Sequence, residues 1–547
     1  MKAFTEPLLS LAGFEEMTKT AEKSSGLISV TGCIDAQKSQ MIDAFGGHRK
    51  NKLIVTFGEQ KAKELYDEYS FFDKEVVYYP SKDVLFYQSD IRGNLLTAER
   101  IRALKAIREQ ERVTLVTTFD ALMNTMAPIE KMWENVLTLE QGQLLDLKEI
   151  QAALIRMGYE KEYQVQTMGQ FSVRGGILDV FPLTEENPIR IELWGDEIDT
   201  IRYFDCESQK SSENIDRVSI YPAAELVLSD EEKTGGIDKL KAEAKRVSDK
   251  LRKQMKTEEA HRVSVMADEL TEEWGELSMY AGMDAFLSYF FDERVGLLDY
   301  FKPSDSLIFF DELTRCTEQG KLTETEFSES MKQRLAMGYI LPGQMNGLFT
   351  EKEIVAKLEK YSCIALGALD NKANGLHQLG SYGIHCQSVS PYNNSFELLI
   401  KDLKRYKKNG YRVILLSGSR TRAKRLSEDI TDQGITCFYT ENYDHELSQG
   451  QIMVCYGKVR RGFEYPILKF AVITESDIFG AQQKKKKRHR TYEGEKIQSF
   501  TDLSVGDYVV HENHGLGIYR GIEKLEVDKK VKDYIKIEYQ GGSNLYI

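Results

Sequence analysis

Cysteine is sparse in this chain: seven residues among 547, at positions 33, 206, 316, 363, 386, 437 and 455, and never in a Cys-x-x-Cys pair. An odd number of scattered thiols supports neither a disulfide framework nor a zinc site, so buried free thiols and no bound metal are expected. No apolar run approaches the roughly 18 residues needed to cross a bilayer, and no membrane partner is expected. Glu6, Pro7 and Glu15 fall where a secretory signal would need a basic head and an unbroken apolar stretch, which makes a cytoplasmic protein the simplest reading. Positive charge is also in deficit. Lys and Arg total 73 against 86 Asp and Glu, a net charge of −13. The global field therefore repels phosphate, and any nucleic-acid contact must come from a local patch.

What is present is ordinary folding material. Hydrophobic residues make up 41% and charged residues 29%, which excludes collagen-like and wholly disordered classes. At about 150 residues per domain, the length predicts three to four domains. From Gly26 to about Leu145, apolar strands (Leu27–Thr31, Lys52–Thr56, Val76–Tyr79, Val113–Thr117) alternate with helical segments such as Leu96–Gln110. That alternation predicts a parallel α/β sheet. Between Lys148 and Pro222 the pattern changes to short β runs with Gly-Gly and Gly-Asp turns, predicting an inserted antiparallel domain. A long charged helix is expected over Glu231–Ala260, and a buried strand over Ser306–Phe310. A second α/β unit is expected over Glu351–Gly480, with strands at Tyr411–Leu416, Gln451–Cys455 and Phe470–Thr474. The basic run Lys484–Arg490 reads as a solvated tether, with a DNA contact as its rival reading. Short glycine-punctuated β segments fill Leu503–Ile547, and the last one ends without a turn, so the chain is expected to be a piece of a longer protein. The resulting divisions are 1–147, 148–222, 223–345, 351–480, a linker 481–500, and 501–547.

One nucleotide motif is almost complete. Gly32 to Ser39 follows a strand and opens a helix, the setting in which a Walker loop cradles phosphate with backbone N–H groups. Lys38 and Ser39 are present, but Gln37 stands where glycine would let the backbone curl around the phosphate. Far downstream, Asp311 and Glu312 close an apolar strand as a Mg²⁺-holding acidic pair would. Arg460 and Arg461 lie where a second lobe supplies charge-neutralising arginines, yet no Gln-x-x-Gly-Arg-type signature follows them. The combination predicts a degenerate helicase-like lobe that keeps the fold and has lost hydrolysis.

The second informative stretch is Gln170–Pro182 followed by Pro188–Asp199. Period-2 alternation sets Ile189, Ile191 and Leu193 on one face and Arg190, Glu192 and Trp194 on the other. Arg190 and Trp194 would then share the solvent side about 13 Å apart, four residues at roughly 3.3 Å each. Arg and Trp together are typical interface anchors. The competing reading packs Trp194 under a loop and pairs Arg190 with Glu192 or Glu197. This stretch, with the degenerate nucleotide lobe around it, resembles the UvrB-homology region of the bacterial transcription-repair coupling factors, the Mfd family. The resemblance implies that the inserted domain binds the repair protein UvrA through Arg174, Arg190 and Trp194, the last standing where relatives more often carry Phe.

Towards the end, Val505 to Gly521 reads as strand, tight turn, strand, and Lys532–Tyr539 alternates apolar and polar residues. A small, strongly bent β-barrel is expected. It resembles the CarD/Tudor-like, RNA polymerase-interacting domain of the same family, which implies contact with the polymerase β subunit around His511, Glu512, Asn513, His514 and Gly515. An open edge strand offers unpaired N–H and C=O groups for such docking. Two histidines in a turn without further ligands do not suggest a metal.

Taken together, the expectation is a multidomain α/β protein: a degenerate RecA-like lobe with an inserted β-rich domain, a second α/β domain and a C-terminal barrel. By resemblance it would be a monomeric coupling module that joins RNA polymerase to UvrA. No cofactor and no catalytic residue are expected in it. ATP, Mg²⁺ and DNA translocation would belong to motor domains of the full-length family. Two alternatives are a UvrB-like DNA-binding ATPase and a polymerase-binding regulator with an unrelated N-terminal body. The first is disfavoured because Tyr78–Arg92 is too short for a damage-probing hairpin.

Overall fold

The computed structural model describes residues 1–46, 49–82, 94–206, 208–276, 282–370, 375–480, 505–511, 515–527, 530–538 and 544–546. Its organising element is a seven-stranded sheet in the order Gln378–Gly383, Gly26–Thr31, Ser362–Leu366, Ser306–Asp311, Asn51–Thr56, Val113–Thr118 and Val77–Tyr79. Every neighbouring pair is parallel. The central strands are buried along their whole length, as continuous runs such as Leu-Ile-Phe-Phe require when helices cover both faces.

The sheet moves one domain boundary. Residues 351–383 fall within the expected second unit, Glu351–Gly480. Ser362–Leu366 instead inserts between Gly26–Thr31 and Ser306–Asp311, pairing with both. Local pattern identifies a parallel strand but not which sheet it joins, because the partner is distant in sequence.

The inserted module is a six-stranded sheet running from Ser211–Ile215 through Glu197–Phe204, Ile189–Trp194, Ile177–Val180 and Gln170–Arg174 to Glu160–Lys161. Its base is a separate ladder in which Leu137–Glu140 pairs with Arg217–Ile220. The module therefore opens near residue 137 rather than 148, since its first strand precedes the Leu147–Arg156 helix. One face buries Phe171, Leu178, Val180, Ile189, Ile191, Ile198 and Ile201.

The charged stretch after the module forms two helices rather than one, Asp230–Lys253 and Thr257–Glu276. Ser229 and Glu232 form a reciprocal capping box at the start, and the chain reverses at Met255, whose φ is +64°. The helices pack as a hairpin around Leu240, Ala244, Ala260, Val263 and Trp274. A helical period carries no mark of a reversal made by a non-glycine residue in the left-handed region.

The second unit has its own sheet, ordered Gln387–Ser388, Phe463–Tyr465, Phe470–Thr474, Arg412–Ser417, Ile452–Tyr456 and Phe438–Tyr439. It packs on the first through a shared core that includes Phe4, Ile42, Tyr69, Ile414, Leu416 and Phe470. Arg412 reaches Glu6 at 3.0 Å across this junction. The C-terminal module is a four-stranded antiparallel meander, Tyr508–His511, Gly515–Val527, Lys530–Glu538 and Asn544–Tyr546. The basic run Lys484–Arg490 and most of the Tyr78–Arg92 segment lie outside the described residues. No helix among the described residues is long and apolar enough to cross a membrane.

Candidate functional site

The start of the nucleotide-like loop is bonded to the segment that follows the Ser362–Leu366 strand. Gly32 N–H donates to the Ala368 carbonyl at 3.2 Å and Cys33 N–H to the Gly367 carbonyl at 3.0 Å, so these amides are not free to face an anion. Gly32 has a φ of +77°, and a Cβ there would lie 2.1 Å from the Ile384 carbonyl oxygen. Its glycine is thus required by the protein's own packing. Gln37 and Ser39 are buried inside the Asp35–Phe45 helix.

Lys38 is 1% exposed and its ammonium donates to Asp311 Oδ1 at 2.5 Å, Asp35 Oδ1 at 3.0 Å and Glu312 Oε1 at 3.1 Å. Thr56 Oγ1 donates to the second Asp311 oxygen at 3.0 Å. Burial alone would lower the Lys38 pKa, but the charge of Asp311 and its hydrogen bond, with Asp35 and Glu312, hold it above its ordinary value. The lysine and the acidic pair expected at a nucleotide and Mg²⁺ site are paired with each other in this structure. Arg460 is drawn instead to Glu64 of the first unit.

On the inserted module, the polar face carries Arg174, Asp179, Arg190, Glu192 and Trp194 on three adjacent strands. Trp194 is 85% exposed at the end of its strand, beside the Gly195 turn with φ +64°. Arg190 departs from its expected solvent position, with a side chain only 13% exposed. Its Nε and Nη2 donate to the two Asp179 oxygens at 2.7 and 2.9 Å, Nη2 also donates to Gln209 at 3.1 Å, and the guanidinium lies 4.4 Å from the Phe204 ring centre. Hydrogen bonding to Asp179 raises its pKa further. Neither Glu192 nor Glu197 is its partner; Glu192 takes Arg202. Arg174 donates to Asp179 Oδ2 at 2.8 Å and remains 37% exposed.

The sequence reading missed Asp179, which is 1% exposed and holds both arginines. Its signal was cross-strand parity: Asp179 opposes Arg190 directly and Ser172 on the other side. One face of the module is therefore a fixed guanidinium–carboxylate–guanidinium bracket ending in a bare indole.

On the C-terminal meander, Val509, Tyr519 and Ile537 are buried, while Tyr508, Val510 and Leu516 are exposed. Val510 opposes Leu516, so the edge strand and its neighbour present a joint apolar row. His511 and Gly515 pair at the end of this ladder. Glu512, Asn513 and His514 lie outside the described residues. Among the described residues, no cluster of His, Cys, Asp and Glu could hold a metal.

Comparison with known proteins finds matches over the two regions that carry these surfaces. Residues 137–226 match the UvrB interaction domain, and residues 503–547 match the CarD-like/TRCF RID domain. The chain belongs to the transcription-repair-coupling factor family. It is 30% identical over 499 residues to the transcription-repair-coupling factor of Bacillus subtilis, with 90% of this chain and 42% of that protein covered. It is 29% identical over 532 residues to the counterpart from Staphylococcus haemolyticus, covering 95% and 44%. The Staphylococcus aureus protein (strain MRSA252) is 28% identical over 549 residues, covering 98% and 45%. The chain thus spans less than half the length of these relatives.

Proposed function

We propose that this chain is the coupling part of a transcription-repair-coupling factor, recruiting UvrA through its inserted module and binding the RNA polymerase β subunit through its C-terminal meander. The observation that carries the first half is Trp194, an indole left in water at the end of a strand whose neighbouring arginines are rigidly bracketed. An exposed large aromatic beside pre-organised guanidinium groups is what a protein interface centre uses. The second half is supported by the apolar row of Tyr508, Val510 and Leu516 beside an edge strand able to pair with another chain.

The first unit is a degenerate RecA-like lobe in this reading, and the chain itself hydrolyses no ATP. Lys38 and Asp311 neutralise each other, and the loop amides of Gly32 and Cys33 are already bonded. Translocation on DNA, with ATP and Mg²⁺, belongs to the remainder of the full-length family. The UvrB-like ATPase alternative predicts turnover that Lys38→Ala abolishes. Capture of purified UvrA and of the isolated polymerase β subunit by this chain, with ATP turnover measured in parallel, tests the proposal. Binding to both without turnover supports it, and failure to capture either refutes that half.

A further inference from the structure

Residues directly opposed in an antiparallel pair project to the same face. Trp194 opposes Glu197, and Leu144 bridges Glu197 from the other side, so the three form one row across the sheet. At about 4.8 Å per strand, the Leu144 and Trp194 backbones stand roughly 10 Å apart. Leu144 is 75% exposed. Its position is fixed by the backbone: Leu145 N–H donates to the Asp196 carbonyl at 2.7 Å, and Ile198 N–H to the Gln143 carbonyl at 2.9 Å. Leu145 enters the core, so its neighbour must face out, where nothing in the fold calls for an apolar side chain.

Charge divides around this row. Arg174, Arg190 and Arg202 lie on one side, paired with Asp179 and Glu192. On the other, the row's own Glu197 with Glu140, Asp199, Asp216 and Arg217 lines an open recess of about 680 Å³ that Trp194 borders, and Arg217 Nε lies 3.1 Å from Glu140 Oε1. Four carboxylates against one arginine leave this margin net negative, which disfavours nucleic acid and suits a protein surface bearing cations.

We infer that Leu144 is a second apolar anchor for the partner that Trp194 engages. The facing surface of UvrA then presents an apolar socket with Lys or Arg groups placed against the Glu197–Asp199 margin. The inference rests on the UvrA reading above. The test is UvrA binding by this chain and its variants, measured by interferometry with melting temperatures alongside. Leu144→Ala weakens binding about 5–10-fold, and Leu144→Asp and Glu197→Lys weaken it more than about tenfold, with melting unchanged. The Leu144→Ala/Trp194→Ala pair loses less than the product of the single losses, because both fill one socket. If Trp194→Ala loses binding while both Leu144 variants stay within about twofold of wild type, the inference is overturned and the UvrA reading stands. Unchanged binding by Glu197→Lys overturns the cationic margin. If the unaltered chain does not bind UvrA, the functional reading itself fails and the inference goes with it.

Discussion

Arg190 meets Asp179 at two points, Nε to Oδ1 at 2.7 Å and Nη2 to Oδ2 at 2.9 Å, and Asp179 is shielded from water while it does so. A buried carboxylate shared by two guanidinium groups is strongly coupled to both, and removing it leaves two cations facing each other. Asp179→Ala is expected to destabilise the module by about 3 kcal/mol in urea unfolding. Arg190→Lys keeps the charge but loses the planar fork, so it is expected to weaken UvrA binding even where it folds.

Lys38 bears on the ATPase question in the same way. With Asp311 buried against it, Lys38→Met is expected to cost about 3–5 kcal/mol, because an unpaired carboxylate remains in the core. The double variant Lys38→Met/Asp311→Asn is expected to recover much of that loss. Denaturant titration of the four-member cycle checks this, and strict additivity would contradict the pairing.

Gly32 separates a phosphate loop from a packing position. Its left-handed backbone and the nearby Ile384 carbonyl leave no room for a methyl group. Gly32→Ala is expected to destabilise the first unit by more than about 2 kcal/mol. Melting in the absence of any nucleotide reads this out, and an unchanged transition would contradict it.

Two buried glutamates give opposite pH dependences. Burial pushes Glu68 up from 4.5 to about 8, Lys61 and Ser39 opposing only in part. The unfolded chain ionises near pH 4.5 and the folded one near 8, so Glu68 subtracts stability as pH rises through that window. Glu68→Gln is expected to stabilise the protein at pH 8 by about 1–3 kcal/mol, with the gain vanishing below about pH 4.5. Glu225 is the reverse. Burial opposes its ionisation, but Arg100 and Lys82 outweigh it and hold its pKa at about 2. Its stabilisation is complete above pH 4.5 and lost as pH falls towards 2. Urea midpoints across pH 2–9 for the parent, Glu68→Gln and Glu225→Gln check the two signs.

Much of this architecture was legible because period and burial agree locally. The strand Phe470–Thr474 and the alternation of Ile189, Arg190, Ile191 and Glu192 were read correctly from pattern alone. What escaped was long-range pairing. Ser362–Leu366 lies inside the range expected for the second unit, and its pairing with Gly26–Thr31 and Ser306–Asp311 places it in the first sheet. The exposure of Arg190 was misjudged for a related reason. Strand parity gives the face a side chain points to, whereas Phe204, Gln209 and Asp179, which cover it, arrive from other strands and a loop. Leu144 was invisible because its row is formed by an isolated bridge rather than a strand with its own alternation.

The central claim is that the exposed indole at the end of the Ile189–Trp194 strand is the anchor for UvrA. The most direct measurement is the affinity of purified UvrA for this chain and for Trp194→Ala under identical salt. Burial of a hot-spot aromatic predicts at least about a tenfold loss with no change in melting temperature. Equal affinity for the two proteins would contradict the account.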